Sequence, residues 1–485
     1  MTTPVPTTAR PQTPETPTAR PDTPAPAILR WGPLGAFVLL LLALARHAGE
    51  GISDPDTLWH ILAGDHLWAT GQFAGPDSLS HFTTGPWILH EWLPELALAL
   101  ANHLGGLAAV AWLAQAGRLA VCLALLVLCR RVAGPLAAAL VAGAAILGTA
   151  DSLSPRPQLV GFVFLAVTVG AWLRTAMDTR PRWWLVALSW LWACSHGTWV
   201  VGITVGAATV AGLALDGRLD RKQAARLAAI PVLSLAAAAL TPVGPRLFES
   251  FVTIRAVSPY ISEWRTPTLS SMSVLATGVL AVAVPLLWLV RRKRVSWTHA
   301  GLWACGVAWA AMSMRSVALG VIILAPLAAE ALDGVLGRPR SAPGRHEWRF
   351  VGAAAALSLV LAGLLAAAGP RTPTGVPHRL DTSLSALPAG SVVYNTDRLG
   401  GWLMWSHPAL TPTSDTRVEL YGPTRSKAYL AILSARPGWT ATFDAYHPAA
   451  ALIEEHTGLA TALLARGWKR VGSDGDYVLI EPPAR

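Results

Sequence analysis

Long apolar runs broken by short polar stretches dominate this chain. The runs lie near residues 33–48, 105–130, 134–150, 157–175, 182–195, 197–215, 224–241, 272–290, 297–313, 316–334 and 348–369. A run of roughly 20 apolar residues is long enough to cross a hydrocarbon core as a helix. Each run is therefore read as a membrane-spanning helix, about 11 in all. Several are short and rich in alanine, and the turn at Ser195-His196-Gly197 between two of them is brief. Residues 1–30 are different: rich in Pro and Thr, with almost no large apolar side chains. Such a segment cannot bury a core and is expected to be a disordered tail. Arg30 and the run PLGAFVLLLLALA after it also fit a signal peptide, with Ala43-Leu44-Ala45 resembling a cleavage site. The long polar leader favours an uncleaved first span.

Composition supports a bilayer setting. The chain is 53% hydrophobic and only 14% charged, against about 25% charged in soluble domains. The formal charge of +10 does not indicate nucleic acid, because the basic residues are not gathered on one surface. They fall between the runs: Arg130-Arg131, then Arg174, Arg180 and Arg182, then Arg218, Arg221, Lys222 and Arg226. Arg291-Arg292-Lys293-Arg294 follow, then Arg338, Arg340, Arg345 and Arg349. With the N-terminus in the cytoplasm every cluster falls on the same side, as the positive-inside rule requires. The loop 49–104, by contrast, has no lysine or arginine. This predicts a cytoplasmic tail over 1–30, a multi-pass region over 31–370 and an extracytoplasmic domain over 371–485. The four cysteines lie within apolar runs with no metal or disulfide spacing.

The polar outliers then fall on the outer side. They are Asp54, Asp56, His60, Asp65, Asp77, His90 and Glu91 in the first loop, Arg156 in SPRPQ, His196 in CSHG, Glu263 and Arg265 in SEWRTP, and Arg315 in MSMRS. Ionisable residues gathered at span ends on one side point to a site. Pro55 suits a first helical turn and Asp54 an N-cap, so LWHILAGDHLWATG is predicted to be a short helix along the membrane surface. Leu58, Ile61 and Leu62 would form its apolar face, with Asp56 and His60 sharing another. The His90-Glu91 pair opens the next helix, where Trp87 and Trp92 fit interface anchors. Asp54 and Asp56 could hold a divalent cation, Mg or Mn, beside a phosphate. The spacing is not a zinc signature, and HEWLP lacks the second histidine of a metalloprotease helix.

The stretch DPDTLWHILAGDHLWATGQFAGPDSLSHFTTGPWILHEW resembles the first outer loop of the GT-C superfamily of membrane glycosyltransferases. The resemblance continues in order through SPRPQLVGF, CSHGTWVVG, TPVGPRLFES, SEWRTP, RSVALGVIILAPLAA, NTDRLGGWLMW and DTRVELYG, covering most of residues 31–485. It implies a GT-C-like multi-helix core in the bacterial cytoplasmic membrane, with a sugar taken from a polyprenyl-phosphate carrier and passed to a lipid or glycan acceptor outside the cytoplasm. By resemblance the catalytic acid position falls on Asp54 or Asp56. The outer domain is small, so the large acceptor-recognition modules of some relatives are missing.

From the residues, Asp56 is the expected base for the acceptor hydroxyl in an inverting displacement. Arg156, Arg255, Arg265 and Arg315 are the outer guanidinium groups available to a leaving phosphate, with Arg315 foremost because it stands between two apolar spans. His60, His90, Glu91, His196 and Glu263 complete the expected substrate-binding set. Arg118, inside the second span, has no assigned role. The C-terminal region is expected to be a small α/β cap. SVVYN and DYVLIEP read as strands, and SKAYLAILSA and HPAAALIEEHTGLATALLARG as helices. Tyr394, Asn395, Trp402, Asp415, Arg417 and Tyr421 could touch an acceptor or could be core and turn residues. No nucleotide-binding glycine loop is present. The competing readings are a transporter or lipid flippase, whose ionisable residues should lie near mid-membrane, and a non-catalytic scaffold for envelope assembly.

Overall fold

A computed structural model describes residues 27–292, 294–337 and 343–483. Most of the tail expected over 1–30, together with Lys293, Arg338 and Arg340, lies outside them. Every apolar run holds a helix. In chain order the helices are α1 (Ala27–Leu44), α2 (Thr57–Thr70), α3 (Trp92–Arg130), α4 (Pro135–Thr149), α5 (Gln158–Asp178), α6 (Trp184–Ala193) and α7 (Trp199–Leu215). Then come α8 (Arg221–Ala238), α9 (Glu249–Val257), α10 (Met272–Val290), α11 (Trp297–Met312), α12 (Val317–Leu336) and α13 (Arg345–Ala368). Seven helices among the described residues are long and apolar enough to cross a membrane. The count of eleven spans is not reached on that measure: α6, α7 and α11 are shorter, and α8 opens on charged residues. Helix α3 is 39 residues long and is broken at Gly105 and Gly106, whose backbones leave the helical region. The break falls where the sequence places the start of the second span, and it leaves Trp92–Leu104 as a separate arm.

The helix ends carrying basic residues are tied to one another. Arg130 is fully buried and grips Glu347 through Nε at 2.6 Å and Nη2 at 3.0 Å. Arg218 donates to the Ala176 carbonyl, Asp216 accepts from the Thr298 amide and hydroxyl, and Asp333 accepts from the Gly134 amide. These contacts place the ends of α3, α5, α7 and α12 with the starts of α4, α11 and α13 at one end of the bundle. The acidic loop and its partners occupy the other.

Helix α2 does not rest on a surface. His60, Ile61, Ala63 and Gly64 are all buried, because α2 is enclosed between the α3 arm and the C-terminal region. A side chain at Gly64 would collide with the Glu95 carbonyl, so glycine there permits the close approach of α2 to α3. Asp54 is not the residue flanking the helix either. That position belongs to Asp56, while Asp54 Oδ1 accepts the Asp56 amide at 3.0 Å in a local turn. Trp87 is buried rather than an interface anchor.

Residues after α13 form a small sheet with helices. The strands of the first loop, β1 (Ala74–Gly75) and β2 (Trp87–Ile88), pair with each other. The C-terminal sheet contains β3 (Val392–Asn395), β4 (Thr411–Pro412), β5 (Ala450–Glu454), β6 (Lys469–Asp474) and β7 (Tyr477–Glu481) in the order β4-β3-β5-β7-β6. Its helices are α14 (Asp381–Ser385), α15 (Asp397–Ser406), α16 (Val418–Leu433), α17 (Trp439–Asp444) and α18 (Gly458–Ala465). The expected helix over 447–467 is corrected: AALIE is strand β5 and only Gly458–Ala465 is helical. Strand β5 is the sheet's centre, parallel to β3 and antiparallel to β7. A strand buried on both faces reads as a continuous apolar run, which periodicity cannot separate from a helix.

One sheet face carries Val393, Leu452 and Leu479 into an apolar cluster shared with Ile52, Leu58, Ile61 and Leu98. The other face carries Tyr394, Ile453 and Ile480 against Phe443 and Leu463. The C-terminal sheet is thereby packed directly onto α2 and the α3 arm.

Candidate active site

The acidic turn before α2 meets the loop between α4 and α5 at Arg156. Arg156 Nε is 2.9 Å from Asp54 Oδ2, and its Nη1 is 3.1 Å from Asp56 Oδ2 and 2.8 Å from Glu263 Oε1. Glu263 Oε2 in turn accepts from Arg315 Nη1 at 3.2 Å. Arg315 Nη2 lies 3.4 Å from His196 Nε2, which is 3.5 Å from Glu91 Oε1. Glu91 also faces His90 at 3.5 Å and His60 at 4.0 Å. One continuous network thus joins Asp54, Asp56, Arg156, Glu263, Arg315, His196, Glu91, His90 and His60. They come from six separate stretches of chain, each between helices or at a helix end.

Arg265 is not part of it. Its side chain is exposed, and it contributes only a backbone carbonyl that accepts the Met314 amide. Arg255 is likewise exposed on α9. Arg118 donates to the Leu153 carbonyl at 2.7 Å, bracing the loop that holds Arg156.

Two residues of the site escape sequence reasoning. Thr416 donates its hydroxyl to Asp56 Oδ1 at 2.5 Å and accepts from Trp59 Nε1 at 3.0 Å. Nothing marks it in the sequence beyond its place in DTRVELYG. Glu95 is buried in the α3 arm and binds His60 Nδ1 at 3.0 Å. A second carboxylate four residues after Glu91, in the apolar run EWLPELALAL, was the available signal.

The electrostatics are unequal across the cluster. Burial raises the Asp54 carboxyl above its ordinary range, helped by the nearby charge of Asp56. Asp56 also meets a burial penalty, but Arg156, the Thr416 hydroxyl and the charges of His60 and Arg315 outweigh it and hold it low. Burial works against the Arg156 cation, and Asp56, Asp54 and Glu263 overcome it. Despite burial, His90 is pushed up to about 9 by Glu91. His196 is pushed down to about 4 by burial, with Arg315, His90 and His60 adding to the effect against Glu91. Near neutral pH the site therefore holds an ionised Asp56, a charged His90 and a neutral His196.

The C-terminal region is fastened to the first loop by a second, fully buried ion cluster. Arg417 binds Asp77 through both Nη atoms at 3.0 Å and Asp415 through Nη2 at 2.7 Å. Its guanidinium also lies 4.6 Å from the Trp87 ring centroid. Tyr421 donates to Asp415 at 2.7 Å, and the Thr84 amide donates to the Leu420 carbonyl at 2.9 Å. Gly401 of α15 lies so near Pro55 that an added Cβ would sit 2.7 Å from its carbonyl oxygen. Of the residues considered for acceptor contact, Trp402 lies in the apolar cluster and Asn395 bonds to Thr413 and Ser414.

Among the described residues no group of three or more His, Cys, Asp and Glu side chains is set to hold a metal ion. Arg156 stands among the carboxylates where a cation would be placed.

Comparison with solved structures assigns the architecture. The chain has the fold of GT-C membrane glycosyltransferases, as the sequence resemblance implies. It matches the oligosaccharyltransferase of Archaeoglobus fulgidus, in a structure tethered to an acceptor peptide containing the NVT sequon, with a TM-score of 0.53 and 12% identity over 94% of this chain and 75% of that one. It matches ArnT of Cupriavidus metallidurans, bound to undecaprenyl phosphate, with a TM-score of 0.51 and 15% identity over 93% of this chain and 98% of that one. Another structure of the archaeal enzyme, a complex with Zn and sulfate, matches with a TM-score of 0.50 and 11% identity over 86% of this chain and 68% of that one. No protein-family model and no curated protein sequence matches the chain.

Proposed function

We propose that this protein is an inverting glycosyltransferase, moving a sugar from a polyprenyl-phosphate carrier to an acceptor hydroxyl on the extracytoplasmic side of the bacterial cytoplasmic membrane. The observation that carries the reading is Arg156 held between Asp54, Asp56 and Glu263, with Glu263 leading on to Arg315. Carboxylate and guanidinium groups thus share one cluster at a single end of the helix bundle. A lipid-linked donor needs such a position, because its tail stays in hydrocarbon while its sugar meets water. The basic clusters at the opposite end support a cytoplasmic assignment for that end and an outer one for the site.

In this reading Asp56 takes the proton from the acceptor hydroxyl as its oxygen attacks the anomeric carbon. The bond from that carbon to the carrier phosphate breaks, and polyprenyl phosphate leaves with the electron pair. Arg315 meets the developing phosphate charge. It is the more exposed of the two network arginines and carries a single carboxylate bond. Charge-directed donors of this kind act most strongly in a partly desolvated site. His196, neutral beside Arg315, lets the guanidinium keep its charge for the phosphate. Arg156 holds Asp54 and Asp56 in place.

Asp54 and Asp56 are the residues that would hold a Mg or Mn ion. With their oxygens directed to Arg156 and Thr416 they do not fit one in this arrangement. A transporter is less well supported, because the ionisable network lies at helix ends and loops.

The test is transfer from a panel of radiolabelled polyprenyl-phosphate sugars by purified protein in lipid, followed by mass analysis. Asp56→Asn should cut product formation about 10²–10⁴-fold. Undiminished transfer by that variant rules out Asp56 as the base.

A further inference from the structure

Five of the chain's six tyrosines line one pocket beside the ion network. They are Tyr260, Tyr394, Tyr421, Tyr429 and Tyr446, and Asp397 stands among them. The pocket is open at its mouth, with about 60 Å³ of room for the centres of water molecules. The chain has 22 tryptophans and 9 phenylalanines, yet none lines this pocket. A groove for a lipid tail needs no hydroxyls. A lining of phenols offers flat apolar faces and hydroxyl edges together, and a sugar ring presents the matching pair: a C–H face and a rim of hydroxyls.

One polar group of the lining has capacity to spare. The Tyr394 hydroxyl is buried and has no hydrogen-bond partner, although buried polar groups are normally paired. Tyr429 Oη accepts the Asp397 amide at 2.8 Å, and its hydroxyl is engaged by the Asp397 carboxylate. Asp397 and Arg425 contribute opposite charges, and Asp415 is already engaged by Arg417 and Tyr421. The balance suits a neutral ligand.

The pocket's walls continue into the network. Tyr260 precedes Glu263 by three residues, and Asp415 adjoins Thr416, whose hydroxyl holds Asp56. We propose that the tyrosine pocket binds the acceptor as a neutral glycan, seating it beside Asp56. The assignment of this glycan as acceptor rests on the transfer reading above, whereas glycan binding is measurable without it.

The test uses the full-length protein in lipid nanodiscs without donor. The probes are α-linked trisaccharides of mannose, glucose, galactose and arabinofuranose, with the tripeptide Ser-Gly-Ala for comparison. Binding is read by saturation-transfer NMR and titration. At least one trisaccharide should bind saturably. Tyr260→Ala, at the partly exposed rim, should weaken it about tenfold, and Tyr429→Phe should weaken it severalfold, with thermal unfolding unchanged for Tyr260→Ala. The proposal is overturned if no trisaccharide binds, if both tyrosine variants bind like the parent, or if only the peptide binds. If Asp56→Asn still transfers sugar, the catalytic assignment fails while the pocket stands. If Asp56→Asn blocks transfer but no glycan binds, the pocket fails alone.

Discussion

Thr416 Oγ1 donates to Asp56 Oδ1 at 2.5 Å, so a residue of the C-terminal region holds the proposed base of the first loop. The bond stabilises the ionised carboxylate. Thr416→Val should therefore raise the Asp56 pKa. The acid limb of the pH profile of kcat/KM should move to higher pH. Asp56→Asn should lose about 10²–10⁴-fold in kcat at every pH, the usual contribution of a positioned base. A transfer assay across pH 3–9 checks both.

Arg156 is held by three carboxylates and is largely buried. Arg156→Lys keeps the charge but not the planar fork that reaches all three. It should lower transfer at least about tenfold and reduce thermal stability. Arg156→Met leaves buried carboxylates unpaired and should cost roughly 3–5 kcal/mol, measured by denaturant unfolding in detergent.

Arg315 meets the phosphate in the proposed reaction. Arg315→Gln should lower kcat about 10²–10³-fold, the loss typical of one charge-stabilising donor. Glu263→Gln, by releasing Arg315 from its carboxylate, should change KM for the lipid donor more than it changes kcat. Steady-state kinetics with a polyprenyl-phosphate sugar separate the two.

His90 and His196 should give opposite dependences of stability on pH. His90 is raised from 6.5 to about 9 in the fold. Its stabilising contribution is complete below pH 6.5 and disappears as pH rises through 9. His196 is lowered to about 4. The unfolded chain binds its proton first, so its contribution is complete above pH 6.5 and lost as pH falls towards 4. In thermal unfolding followed by tryptophan fluorescence, His90→Gln should flatten the alkaline decline and His196→Gln the acid one.

Breaking the buried cluster of Arg417, Asp77 and Asp415 should release the C-terminal region from the first loop. Arg417→Met strands two buried carboxylates and should cost roughly 3–5 kcal/mol. Limited proteolysis should then cut within 77–90 and 411–425, segments protected in the parent.

The sequence by itself determined the helices and the side of the bundle on which the chemistry lies. Hydropathy is local: each apolar segment must satisfy its own backbone as a helix whatever its neighbours do, and arginine clusters sort the loops between helices. The candidates Asp54, Asp56, Arg156, His196, Glu263 and Arg315 were legible because charges are scarce in such a chain and stand out at helix ends. The tertiary structure alone decided which of them meet. Arg265, two residues from Glu263, turns outward, and only the packing of the helices sets that difference. It also decided that AALIE is a central strand, that α2 is enclosed, and that Thr416 reaches Asp56. Those outcomes depend on contacts between segments far apart in the chain, and neither periodicity nor spacing encodes such contacts.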